Sequence, residues 1–275
     1  MTSPSATAAV PREIVVDGVS KSYGGRAVLR GIDLTINRGE IVAIVGMSGS
    51  GKTVLMDIMV GLRKPDSGRV LVADHALAGA PLRDLDALAP DDLDDLRRHW
   101  AVVFQHNALF GGTVRDNCAL WLRENTALSA AQIERRIRTA LEAAALDVDD
   151  VIDKDRDELS GGMAKRVAVA RAIAMDPKII FYDEPTTGLD PIVAGAIHEL
   201  VWETHSRSLD GGSPRTTVIV THDRELLRRL APRVVMLHDA GVCFDGTYND
   251  FGGPGCEMAR DYLTAMPVLH AREPR

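Results

Sequence analysis

The stretch Gly46-Met47-Ser48-Gly49-Ser50-Gly51-Lys52-Thr53 carries the residue types that hold phosphate. Glycines at 46, 49 and 51 let successive backbone N–H groups turn inward around phosphate oxygens with no side chain in the way. Lys52 is then placed to reach the β- and γ-phosphates of a nucleotide, and the Thr53 hydroxyl to hold Mg2+. Val54 opens a helix whose unpaired first-turn amides and macrodipole favour the same anion.

Four further places could do chemistry. Lys178-Ile179-Ile180-Phe181-Tyr182 reads as a buried strand ending in the paired carboxylates Asp183 and Glu184. A second apolar run, Thr216 to Thr221, ends in His222, and a third, Trp100 to Phe104, ends in the amide Gln105. Ser160-Gly161-Gly162-Met163 precedes a helix built from Ala164, Val167, Ala168, Ala170 and Ile173, which makes it another anion-facing helix start. Tyr23, on a glycine turn upstream of the phosphate loop, either stacks on a base or packs on a sheet edge; this stretch alone favours neither.

These residues need a scaffold, and the apolar patterning supplies one. Ile41 to Val45 is the strand that feeds the loop, and Leu55 to Met59 continue the helix after it. Upstream, Ile14 to Val19 and Ile32 to Ile36 predict a small β layer, joined downstream by a strand at Arg69 to Ala73. A short helix begins near Pro90, with Asp91 and Asp92 early and Arg97 and Arg98 late. Residues 113–153 read as a helical insert, in which Ser129 and Gln132 form a capping box ahead of Ile133, Ile137, Ala140 and Leu141. Val234 to Leu237 and Val242 to Phe244 predict a closing hairpin, and a helix and tail follow Thr247. Leu109 and Phe110 are apolar residues in a loop, as a partner surface requires.

Composition narrows the class. The 275 residues are 45% hydrophobic and 26% charged, ordinary values for a globular chain. With 32 basic and 39 acidic residues the net charge is −7, so no global field draws the chain to nucleic acid or an anionic membrane. Cys118, Cys243 and Cys256 have no C-x-x-C spacing, which points to neither a disulfide framework nor a zinc site and fits a reducing compartment. No window holds 18 continuous apolar residues and the first residues form no secretion signal, so a cytoplasmic chain is expected.

The ordered set of Tyr23, Gly46 to Thr53, Gln105, Leu159 to Met163, Asp183-Glu184, Gly188-Leu189-Asp190-Pro191 and His222 resembles the ATP-binding subunit of an ABC transporter over residues 14–245. The resemblance implies an α/β fold: a P-loop NTPase (RecA-like) core with an N-terminal antiparallel β layer and an inserted α-helical subdomain. By residue, that means a flexible tail at 1–12, a nucleotide-binding domain at 13–246 with the helical subdomain at about 106–158, and a C-terminal helix and tail at 247–275. It also implies a head-to-tail dimer with a second copy, each ATP held between one phosphate loop and the other subunit's Ser160, Gly161, Gly162 and Met163. Thr53 and Asp183 would hold Mg2+, with Gln105 sensing the metal and the attacking water. Glu184 would polarise that water, His222 would contact the γ-phosphate, and Asp190 would tie the two sites together.

The run Leu159 to Ala168, with Met163 where most such subunits have Gln, looks like the ATPases of MCE-linked lipid transporters such as the Mla phospholipid system. Phe104-Gln105, Ala108 to Phe110, Leu122 to Thr126 and Tyr182 to Pro185 are similar to the same group, whereas Leu189 and the short Gly111-Gly112-Thr113 loop depart from its proteobacterial members. That likeness implies an MlaE-type integral-membrane permease, an indirect MCE-domain partner, and a place on the inner face of the cytoplasmic membrane. A small-solute importer ATPase, as for amino acids, and a soluble non-transport ABC ATPase are the alternatives.

Overall fold

The computed structural model describes residues 10–106, 108–207, 214–253 and 257–266. Most of the expected N-terminal tail, the end of the C-terminal tail, Asn107 and Cys256 lie outside the described residues. Two sheets organise the chain. The first, in the order β2-β1-β4-β5, is antiparallel and comprises β1 (Arg12–Tyr23), β2 (Arg26–Asn37), β4 (Ser67–Ala73) and β5 (Leu82–Asp84). The second runs β10-β9-β3-β8-β7-β6 and comprises β3 (Ile41–Val45), β6 (Trp100–Val103), β7 (Ile179–Asp183), β8 (Thr216–Val220), β9 (Arg233–His238) and β10 (Gly241–Thr247). Its strands are parallel except β10, which closes the sheet as the expected antiparallel hairpin with β9.

The parallel strands read as unbroken apolar runs because both their faces are covered. In β3, Val42 and Ile44 pack beneath the first sheet, while Ala43 and Val45 face the C-terminal residues Phe251, Ala259 and Met266. In β7, Ile179 and Phe181 join the first group, while Ile180 and Tyr182 face the helical side. Helix α1 (Lys52–Met59) lies between the sheets, burying Leu55, Met56, Ile58 and Met59.

The helical insert is α3 (Val114–Asn125), α4 (Ala130–Ala143) and α5 (Val148–Val151), broken at 126–129 and 144–147. The capping box at Ser129 and Gln132 starts α4, and a second box, Thr113 with Asp116, starts α3. Helix α2 (Pro90–Arg97) has Pro90 in its first turn. Helix α6 (Gly161–Ala174) is buried nearly all round, α7 (Pro191–Ser206) and α8 (Arg224–Leu230) follow, and α9 (Glu257–Ala265) ends the described chain.

Strand β1 differs from expectation at both ends. Strand β1 already includes Arg12, and the Pro11 carbonyl accepts a hydrogen bond from the Arg38 amide at 2.8 Å, so the expected tail is tied to the sheet at its C-terminal end. The same strand continues past Val19 to Tyr23, because a register shift near Gly18 absorbs the irregularity and pairing resumes on β2.

Candidate nucleotide site

The phosphate loop joins β3 to α1. Gly46 has φ 146°, and a Cβ there would stand 2.5 Å from the Leu237 carbonyl oxygen and 2.6 Å from Ser50 Oγ, so only glycine fits. Gly51, with φ 98°, caps α1 without any side-chain hydrogen bond, whereas Thr113, Ser129, Ser160, Asp190 and Asp223 cap α3, α4, α6, α7 and α8 with theirs. The first amides of α1 are thus left for an anion. Ser50 Oγ is buried and meets no protein partner.

A cavity of about 730 Å3 opens over this loop. Gly46, Met47, Ser48, Gly49, Lys52 and Thr53 line it from one side; Gln105, Glu184 and His222 line it from three strand ends. The parallel sheet explains the convergence, since β3, β6, β7 and β8 all point their C-terminal ends here. Lys52 Nζ donates to the carbonyls of Gly46 at 2.8 Å and Met47 at 3.1 Å. Burial lowers its pKa, while the negative charges of Glu184 and Asp183 oppose that shift. His222 Nδ1 lies 2.8 Å from Glu184 Oε2, which also accepts from Thr187 Oγ1 at 3.1 Å.

Asp183 sits just below the cavity at 4% exposure. Burial, then the charges of Glu184 and Asp57, push its pKa up to about 6 against the pull of Lys52 and the Thr53 hydroxyl. Its Oδ1 is buried without a hydrogen-bond donor. A carboxylate oxygen left bare beside a threonine hydroxyl suits a hard divalent cation, so the residues present fit Mg2+.

The ABC transporter family profile matches residues 29–187. The chain belongs to that family. This ABC subunit is 34% identical to the histidine transport ATP-binding protein HisP of Pseudomonas aeruginosa, over 90% of its own length and 96% of that protein. It is 33% identical to the chloroplastic protein TRIGALACTOSYLDIACYLGLYCEROL 3 of Arabidopsis thaliana, over 85% of its own length and 68% of that protein. It is 35% identical to the methionine import ATP-binding protein MetN 2 of Rhodopseudomonas palustris, over 97% and 68%. Among solved structures, the dimeric ATP-binding cassette MJ0796 bound to ADP and Pi superposes with a TM-score of 0.74 at 31% identity, covering 86% of this chain and 98% of that one. The ABC subunit is therefore an ATPase with the P-loop core that the sequence predicts.

The remaining expected residues of this ABC subunit lie apart from the cavity. Tyr23 is 43% exposed on the β1–β2 turn, its hydroxyl accepting from Arg63 Nη1 at 2.9 Å and its ring flanked by the cations of Lys21 and Arg63. Ser160 and Gly161 are exposed at the head of α6, and Ser160 Oγ accepts from the Met163 amide at 3.2 Å. Gly162 and Met163 are half-buried, and Asp190 Oδ1 caps α7 by accepting from Ile192 and Val193, each at 3.0 Å.

No sequence signal assigned α9 or Lys165 to the site. Tyr262 of α9 donates to the Gly46 carbonyl at 3.0 Å, and Met258, Asp261 and Met266 complete that wall of the cavity. Lys165, the buried cation of α6, touches the Glu184 main chain. A second depression, of about 750 Å3 between α4, α6 and α7, contains Arg215, whose guanidinium is already taken up by Asp176 and the Pro177 and Thr204 carbonyls. The chemistry is concentrated in the first cavity.

Proposed function

We propose that this ABC ATPase drives import of a small polar solute, such as an amino acid, through a membrane permease, working as a head-to-tail pair at the cytoplasmic face. The observation that carries the cargo is the likeness to HisP along nearly the whole of that protein, joined by methionine and sulfate/thiosulfate import ATP-binding proteins at 33–35% identity. The apolar Leu109 and Phe110, the latter 42% exposed beside Arg171, form the surface that meets the permease.

The residues then divide the work. The loop amides of Gly46 to Thr53 and the open start of α1 hold the β- and γ-phosphates, and Lys52 turns to them from its two carbonyls. Thr53 and Asp183 hold Mg2+, which when bound neutralises phosphate charge. Glu184, fixed by His222 and Thr187, orients the water and takes its proton as the water oxygen bonds to the γ-phosphorus and ADP departs with the bridging oxygen. Gln105 faces the same space, and His222 also reaches the γ-phosphate. Tyr23 meets the base by its exposed ring, the partner's ATP is closed over by Ser160 to Met163, and Asp190 links the two sites.

A second reading, phospholipid transport with an MlaE-type permease and an MCE-domain protein, is favoured by the run Leu159 to Ala168 and by a relative that bears a glycolipid's name. Purifying the assembled complex through a tag on this chain separates the two. An empty permease with a solute-binding protein supports the importer; a permease carrying phospholipid with an MCE-domain protein overturns it.

A further inference from the structure

Lys165 lies five residues beyond Ser160 on α6 and is 3% exposed. A buried ammonium is tolerated where its donors find acceptors. Lys165 Nζ donates to the main-chain carbonyl of Glu184 at 2.7 Å and to that of Thr187 at 3.1 Å. The charges of Glu184 and Asp183 also oppose the lowering of its pKa by burial.

Glu184 needs such a hold. Its φ is 49°, a left-handed conformation that a residue with a Cβ adopts only when its surroundings impose it. Its amide is fixed from one side by the Val220 carbonyl of β8 at 2.9 Å, and its carbonyl from the other by Lys165 at 2.7 Å and, at a longer 3.3 Å, by the Thr187 amide. Rotation of either peptide would swing the carboxylate away from His222 Nδ1 and Thr187 Oγ1.

We propose that Lys165 is a positioning residue for Glu184 and mechanically joins the head of α6 to the catalytic carboxylate of the same chain. This rests on the paired reading above: Ser160 to Met163 face the partner's ATP, while Glu184 serves its own. A helix transmits a displacement along its axis, and Ser160 and Lys165 are about 7.5 Å apart along it. Closure over one ATP is thereby registered at the carboxylate that hydrolyses the other.

The test compares wild type, Lys165→Met and Lys165→Arg by steady-state and single-turnover hydrolysis, MgATP titration and thermal unfolding. Misplacing a reacting group by an ångström costs about 10²-fold. Lys165→Met is expected to lower kcat by about 10- to 100-fold with nucleotide affinity unchanged, and to bring the Hill coefficient for ATP down to 1. Lys165→Arg, which keeps a donor and the charge, recovers most of the rate. In a Glu184→Gln background Lys165→Met has no further effect, because its route runs through that carboxylate. The proposal is overturned by a kcat of Lys165→Met within twofold of wild type, by an equal additional loss in the Glu184→Gln background, by affinity falling in step with rate, or by an unchanged Hill coefficient. Should Lys165→Met not fold, Lys165→Gln, which is shorter, uncharged and keeps an amide donor, carries the same comparison. A wild-type rate in Glu184→Gln alone would instead sink the catalytic assignment, and a wild-type Hill coefficient of 1 the paired reading.

Discussion

Asp183 is the group whose ionisation is most altered by its place in the site. Its pKa stands at about 6 against 3.8 for a free carboxyl. The folded state thus holds the proton more tightly than the unfolded chain. The stability that this proton contributes is complete below pH 3.8 and is lost as pH rises through about 6, to the extent of about 3 kcal/mol for a group so little exposed. A divalent cation held by Asp183 would restore part of it at neutral pH, in competition with the proton. Mg2+ affinity measured by calorimetry with ADP present is therefore expected to fall about tenfold from pH 7 to pH 5. A flat profile would remove Asp183 from the metal site. Glu184→Gln retains shape and hydrogen bonding but loses the water-orienting charge, so the variant should bind ATP as wild type does and hydrolyse it at least about 10²-fold more slowly. Equilibrium binding beside a phosphate-release assay decides it, and hydrolysis at the normal rate would count against Glu184. Both carboxylates were legible in the sequence because an apolar run ending in two acids has few structural uses. Lys165 was not, since its meaning depends on a turn 19 residues away.

Among the elements, β3, β7 and β8 were plain in the sequence because strands covered on both faces are apolar throughout. The full length of β1 was hidden, since an irregularity at Gly18 breaks the alternation that marks a half-buried strand. Equally hidden was the junction between α7 and the β8–α8 turn, where Asp223 Oδ2 is 2.8 Å from both His198 Nε2 and Thr186 Oγ1 and Asp223 Oδ1 caps α8. That junction fastens the loop after Glu184 to the one after His222. Burial pushes the Asp223 pKa up, yet the hydrogen bonds from His198 and Thr186 outweigh it and hold the group down at about 2. A depressed carboxyl contributes stability above its unfolded pKa of 3.8 that disappears as pH falls through about 2, here about 2 kcal/mol. Asp223→Asn should cost about 3 kcal/mol at pH 7 and flatten the stability profile between pH 5 and 2, as followed by urea unfolding. A loss below about 0.5 kcal/mol would show that the pair is not a fastening.

At the scale of the whole molecule, the phosphate loop and the head of α6 lie on the same chain without forming one site, and α9 closes the loop's outer wall through Tyr262, 216 residues from Gly46. Spacing within the sequence showed each motif but not this separation, because tertiary placement alone decides which motifs meet. The separation makes Gly161 a discriminating position. A Cβ there meets nothing within 4 Å, and the head of α6 has no acidic residue in its first turn. An aspartate at that place is accommodated by the isolated chain and is favoured by the helix dipole. In a head-to-tail pair the same carboxylate would confront the partner's γ-phosphate, and two like charges in a site closed from water repel strongly. Gly161→Asp is thus expected to unfold at or slightly above the wild-type temperature, to bind nucleotide as tightly in dilute solution, and to lose ATP-dependent dimerisation together with about 10²-fold or more of its hydrolysis. Light scattering with ATP in a Glu184→Gln background, read beside the ATPase rate, separates the two pictures. If Gly161→Asp still dimerises and hydrolyses normally, the head of α6 does not close over the partner's ATP, and each chain must complete its own site.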